Sequence, residues 1–183
     1  MKIPGKTLIT TLVLAAAASW AANTVMVGGM EMYPDKDIVA NAANSGDHNT
    51  LVAAVKAADL VDTLKGSGPF TVFAPTDAAF ARLPAGTVDN LLKPENKATL
   101  AKILTYHVVA GKWDYDALAK MIKKGGGMAE IKTVSGGTLT AMMNGKHNIT
   151  LKDEKGNVAN ISTYDVYQSN GVIHVIDRVL MPN

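Results

Sequence analysis

The sequence predicts an α+β domain, and three observations carry that prediction. Helical periodicity dominates the first half of the chain, period-two alternation with turn signals dominates the second, and no strand–helix–strand unit repeats. The 183 residues fit one domain with appendages, and 48% hydrophobic against 19% charged residues is the composition of a chain that buries a core. There is no cysteine, which excludes disulfides, thiolate catalysis, zinc ribbons and iron–sulfur clusters, so stability has to come from packing.

The N-terminus reads as an address. Lys2 and Lys6 precede an apolar run from Leu8 to Ala18, and Ser19 and Ala21 form a small-x-small site, so residues 1–21 are expected to be a secretory signal peptide cleaved after Ala21. The run is short for a membrane span, which needs about 20 apolar residues, and no later stretch is long enough. A secreted or periplasmic location follows. Removal of Lys2 and Lys6 takes the formal charge from +2 to zero. A neutral chain with 5% aromatic residues has neither the field nor the stacking surface expected of a nucleic-acid binder.

Residues 22–32 are small, apolar and Gly-bearing, and are expected to be a flexible or extended leader; the domain itself is expected to fill residues 33–183. A short helix is predicted over 37–43 and a longer one over 50–65, where Leu51, Val55, Ala58 and Val61 recur at helical spacing, with Asn49 or Thr50 as cap and Gly66 as terminator. Phe70 to Ala74 is a short β-rich run and reads as a buried strand. Pro75 ends it, and Thr76 caps a short helix through Ala81. Further helices are predicted over 88–92, 96–105 and 114–123, with a strand over 106–109 between the last two. Beyond Gly125-Gly126-Gly127 the chain alternates. Segments 138–143 and 147–152 flank Asn144-Gly145, a hairpin signal because a tight turn needs positive φ there. A turn at Gly156-Asn157 leads into a strand over 158–163, and a Val/Ile-rich strand over 171–180 closes the chain.

The chemistry-bearing residues form no compact constellation. His48, His107, His147 and His174 show no metal-ligand spacing, so no metal and no cofactor is expected. No Gly-x-Ser-x-Gly elbow accompanies them, which makes a hydrolase the weakest reading. His107 and His174 sit in apolar runs and are expected to point inward with hydrogen-bond partners. Lys123-Lys124 reads as a solvated basic spot, and Asn148-Ile149-Thr150 and Asn160-Ile161-Ser162 match the glycosylation triplet.

Three blocks together resemble the fasciclin domain family: Thr71 to Phe80 (TVFAPTDAAF), Ile103 to Val109 (ILTYHVV) and Asn170 to Leu180 (NGVIHVIDRVL). The resemblance covers nearly all of the chain after the leader. It implies a wedge-shaped antiparallel β-sandwich with helices packed around it, and a non-enzymatic role in adhesion, with a cell-surface or matrix protein or glycan as partner. It also implies four binding residues. Tyr106 and His107 match a Tyr-His pair to which adhesion has been attributed in animal members, and Asp165-Val166 is similar to an Asp-Ile pair ahead of the last block. A second reading is a carrier of an apolar small molecule or pigment, its groove lined by the Met-bearing leader with Met142 and Met143.

Overall fold

The computed structural model describes residues 24–183; the predicted signal peptide, residues 1–21, lies outside them. In chain order the elements are β1 (Val25–Val27), β2 (Met30–Met32), α1 (Ile38–Asn44), α2 (Asn49–Ala57), α3 (Val61–Lys65), β3 (Phe70–Pro75), α4 (Asp77–Ala81), α5 (Thr87–Leu91), α6 (Lys97–Tyr106), β4 (Val108–Ala110), α7 (Tyr115–Lys124), β5 (Met128–Lys132), β6 (Thr138–Asn144), β7 (Asn148–Lys152), β8 (Val158–Gln168) and β9 (Gly171–Ile176). The larger sheet has the order β4-β3-β9-β8-β7-β6-β5. Its neighbours are antiparallel except β3 and β9, which run parallel and bring the first and last family-like blocks side by side.

The sandwich arises from β8. Its residues 158–160 pair with β7 and its residues 161–168 with β9, so one long strand belongs to both halves. Two register shifts interrupt the β8–β9 ladder, and Asp165, within the second of them, has φ 55°. Bulges bend a strand and increase its twist. The two halves therefore fold towards each other around a shared core that includes Phe73, Val109, Leu139, Leu151 and Ile176, closed by Leu118 and Ile122 of α7. The opposite face of β3 and β9 (Val72, Ala74, Ile173, Val175) packs under α1, α2, α4 and α6 through Ile38, Leu51, Val55, Phe80 and Leu104. Alternation along β3 divides its side chains between these two cores.

Local chemistry explains the starts of α1, α4 and α7. Asp37, Thr76 and Asp114 each accept from the backbone N–H three residues on, at 2.8, 3.2 and 2.9 Å. α2 is different. Neither Asn49 nor Thr50 caps it; His48 occupies the cap position, and the orphan amides are taken by Asp77 of α4, which accepts from Thr50 N at 2.7 Å and Asn49 N at 3.3 Å. Burial pushes the Asp77 carboxyl up, but these bonds and the Asn49 amide outweigh it and hold the pKa below the usual range. Replacing Asp77 with alanine is expected to cost about 1 kcal/mol, as for other lost caps. The contribution is present above the ordinary carboxylate pKa and disappears as pH falls through the lowered value. Urea midpoints at neutral pH check this; an unchanged midpoint would remove Asp77 from the account of α2.

Several predicted elements differ. The helix over 50–65 is two helices, because Asp59 adopts φ 59° and the chain closes a Schellman turn, with Leu60 N bonding Val55 O and Asp59 N bonding Lys56 O. Glycine usually occupies that left-handed position, so an Asp there left no obvious stop signal. The strand predicted over 106–109 begins at Val108; Tyr106 ends α6 and His107 is its C-cap residue. The last strand stops at Ile176, where Asp177 turns the chain by accepting from Asn160 N and Asn160 Nδ2 and pairing with Arg82. The Asn144-Gly145 hairpin forms with Asn144 opposite Asn148, which leaves a three-residue loop in which Gly145 supplies φ 78°. Within the leader, β1 and β2 form a hairpin. Gly28 and Gly29 both have positive φ, and Val27 and Met32 are buried against the helical side.

Candidate functional site

The four residues singled out by the resemblance do not assemble on one surface. Tyr106 is fully buried in the core between the sheet halves, where its hydroxyl donates to Thr138 O at 2.8 Å and accepts from Glu154 N at 3.1 Å. One phenol thereby ties α6 to β6 and to the β7–β8 turn. Burial, with the nearby Glu154 and Asp153 charges, pushes its pKa up to about 12, so the hydroxyl keeps its proton.

His107 is buried on the helical side. Its Nε2 accepts from Leu180 N at 2.9 Å, which puts the proton on Nδ1, facing Ile103 O at 2.8 Å. Burial lowers its pKa to about 4, against smaller opposing effects of the Ile103 carbonyl and Asp153. The imidazole is a neutral bracket joining α6 to the segment after β9.

Asp165 is half-buried at the β8 bulge. Its carboxylate accepts from Tyr115 N at 2.7 Å, at the start of α7, and its own amide donates to His174 Nδ1 at 3.3 Å. His174, fully buried, then donates from Nε2 to Trp113 O at 2.7 Å, and burial lowers its pKa. The Asp165–His174 pair thus fixes the loop between β4 and α7. Val166, 1% exposed, points the other way into the helical core. His107 and His174 are inward and hydrogen-bonded, as expected from their apolar runs.

Around Asp165 the fold gathers aromatic residues that sequence spacing keeps apart. Tyr115 packs edge-on against Tyr164 with ring centroids 5.1 Å apart, Tyr164 reaches His174, and Lys112 Nζ lies 4.5 Å over the Tyr167 ring. Trp113, Tyr115, Tyr164 and Tyr167 are all half-buried. Composition alone pointed away from an aromatic surface, and no local pattern foretold this cluster, because it joins residues 113–115 to 164–167 across the β8 bulge.

Two apolar voids on the helical side, among the described residues, are small. The apolar void beneath α1 and α2, bordered by Leu51, Val55, Leu104 and His107, has a volume of about 30 Å³, and an adjoining one beside Val166 about 10 Å³. The larger equals roughly one water's share of liquid volume, whereas a cavity that holds benzene measures about 150 Å³. Met142 and Met143 face opposite sides of β6 and border separate surface concavities, so they line no common groove with the leader. Among the described residues no three His, Asp or Glu side chains are placed to hold a metal ion, and no helix is long and apolar enough to cross a membrane.

Comparisons with known proteins agree with this architecture. A family model described as the fasciclin domain matches residues 46–182. Protein sll1483 of Synechocystis is 52% identical over 147 residues, covering 79% of this chain and 73% of its own length. The immunogenic protein MPB70 of Mycobacterium bovis is 37% identical over 171 residues, covering 91% and 78%. The cell surface glycolipoprotein MPB83 of the same species is 36% identical over 161 residues, covering 85% of this chain and 64% of that protein. Among solved structures, a FAS1 domain pair from the insect cell adhesion molecule fasciclin I aligns with 72% of this chain at a TM-score of 0.56; at 23% identity, and with 43% of the insect chain covered, that likeness speaks to the fold alone. Matched over most of its length by the family model and by relatives well above 30% identity, this chain belongs to the fasciclin domain family.

Proposed function

We propose that this protein is an exported, non-enzymatic adhesion domain that contacts a cell-surface or matrix protein or glycan. Family membership carries the reading, supported by likeness to a cell surface glycolipoprotein and to the fold of a cell adhesion molecule. The geometry supports it as well. His107 and His174 have both ring nitrogens committed to backbone partners inside the protein, so neither is free to move a substrate proton. A hydrolase built on either would first have to break the bonds that hold α6 and the β4–α7 loop. A carrier would have to displace α1 and α2 to seat a pigment, given the size of the void.

Tyr106, His107 and Val166 act on adhesion through the fold, since they present almost no side-chain surface, and Asp165 acts by positioning Tyr115. The mature protein immobilised on a surface is expected to retain cells or envelope fragments of its native source above a control protein of equal charge. Retention no better than the control would sink the proposal.

A further inference from the structure

The surface between α7 and the β6–β7 hairpin carries more positive charge than the near-balanced chain as a whole, whose formal charge is +2. From Tyr115 to Lys152 the chain has six lysines against two carboxylates, Asp116 in the first turn of α7 and Glu130. Glu130 is turned to the outer face of the sheet, beside Met128 and Thr140. On the opposite side lies an open concavity of about 450 Å³, bordered by Tyr115, Ala119, Ile122, Met143, Lys123 and Lys146. Lys124, the exposed chain neighbour of Lys123, extends the positive rim. Among the described residues the ion pairs are Arg82–Asp177 and Lys97–Asp59, so these lysines carry no carboxylate partner.

Part of this charge has a local explanation. Lys123 and Lys124 occupy the last turn of α7, where cations offset the helix dipole. Lys146 does not; it comes from the tip of the hairpin, some twenty residues later, and meets Lys123 only in the folded chain. The floor is apolar, and its aromatic ring is held in place. Tyr115 is clamped edge-on by Tyr164, whose hydroxyl accepts from Ile149 N at 2.7 Å, while Asp165 fixes the Tyr115 amide.

From this arrangement we infer that the α7–hairpin concavity binds a carboxylated polysaccharide, a sugar ring packing on Tyr115 and Met143 with its carboxylate between Lys123 and Lys146. A recess of this size falls in the range of small-ligand sites, about 300–1,000 Å³. Apolar ring faces pack on aromatic side chains, and ammonium groups on a rim select the anionic sugar over the neutral one. A duplex would need a longer basic track than this one. The inference rests on the adhesion reading and narrows its partner to a glycan class.

The test is binding of polygalacturonate to the mature protein at low salt, with dextran as the neutral control. Binding is expected with polygalacturonate alone, weakening as salt shortens the screening length. The double substitution Lys123→Gln with Lys146→Gln should weaken it roughly tenfold. Lys56→Gln with Lys65→Gln, exposed lysines on the helical side, should leave it unchanged. Tyr115→Leu should weaken it while leaving the salt dependence intact. No binding, binding indifferent to the Lys123/Lys146 pair, or equal lysine-dependent binding to phosphatidylglycerol vesicles or DNA would overturn the inference. Adhesion that persists without polygalacturonate binding would overturn it and leave the adhesion proposal standing; loss of both would remove both.

Discussion

Replacing Tyr106 with alanine is expected to destabilise the protein by about 5 kcal/mol, the upper range for loss of a buried aromatic side chain. The ring is fully buried between the sheet halves, and its hydroxyl bonds Thr138 O and Glu154 N. Truncation therefore opens a cavity and strands two backbone groups at once. Since domain stabilities lie near 5–15 kcal/mol, a loss of this size would leave much of the variant unfolded at growth temperature. Tyr106→Phe keeps the ring and removes only the hydroxyl, and should cost about 1–2 kcal/mol. Urea titration of both variants distinguishes two accounts of the family-like Tyr-His pair. If the residue acts through the fold, adhesion falls in step with stability, and Tyr106→Phe adheres normally wherever it is folded. A Tyr106→Phe protein of unchanged midpoint that no longer adheres would place the phenol in the binding surface instead.

Acidification should weaken the protein well before its carboxylates protonate, and His107 is the main reason. Its folded pKa, about 4, lies below the ordinary histidine value of 6.5. Between those two values the unfolded chain binds a proton that the folded chain refuses, so stability rises with pH across this window and falls on acidification. At pH 7 the contribution is fully present; below about pH 4 both states are protonated and the loss is complete. A shift of this size corresponds to about 3 kcal/mol. Burial lowers His48 and His174 as well, which adds loss of the same sign. Melting temperatures measured from pH 7 to pH 4.5 should fall steeply, and the His107 imidazole followed by NMR should remain neutral at pH 5. A His107 resonance that titrates near 6.5, or a flat stability profile over this range, would contradict the buried bracket described above.

Much of the fold was legible because its signals are local. Thr76 caps α4 as its position before Asp77-Ala78-Ala79-Phe80 indicates, and α7 forms close to the range expected of it, with Leu118 and Ile122 buried. The misreadings have two causes. Asp59 closes a local turn in a position usually held by glycine, whereas Asp77 capping a helix that precedes it by nearly thirty residues, and Tyr106-His107 ending a helix where alternation suggested a strand, involve partners distant in sequence. The Met-bearing leader offered Gly28-Gly29 as a turn, but only burial of Val27 and Met32 shows why its hairpin lies on the domain.

The amino-acid sequence by itself determined the α+β class, the family, many of the elements and the inward fate of His107 and His174. These follow from composition, periodicity and blocks read along the chain. Tertiary structure alone decided what the singled-out residues do. Tyr106, His107 and Val166 are withdrawn into the interior, Asp165 becomes a clamp on Tyr115, and Lys123 and Lys146 come to border one concavity. The physical reason is the bend in β8: it folds one sheet onto itself, and that closure determines which side chains lose contact with water and which charges come together.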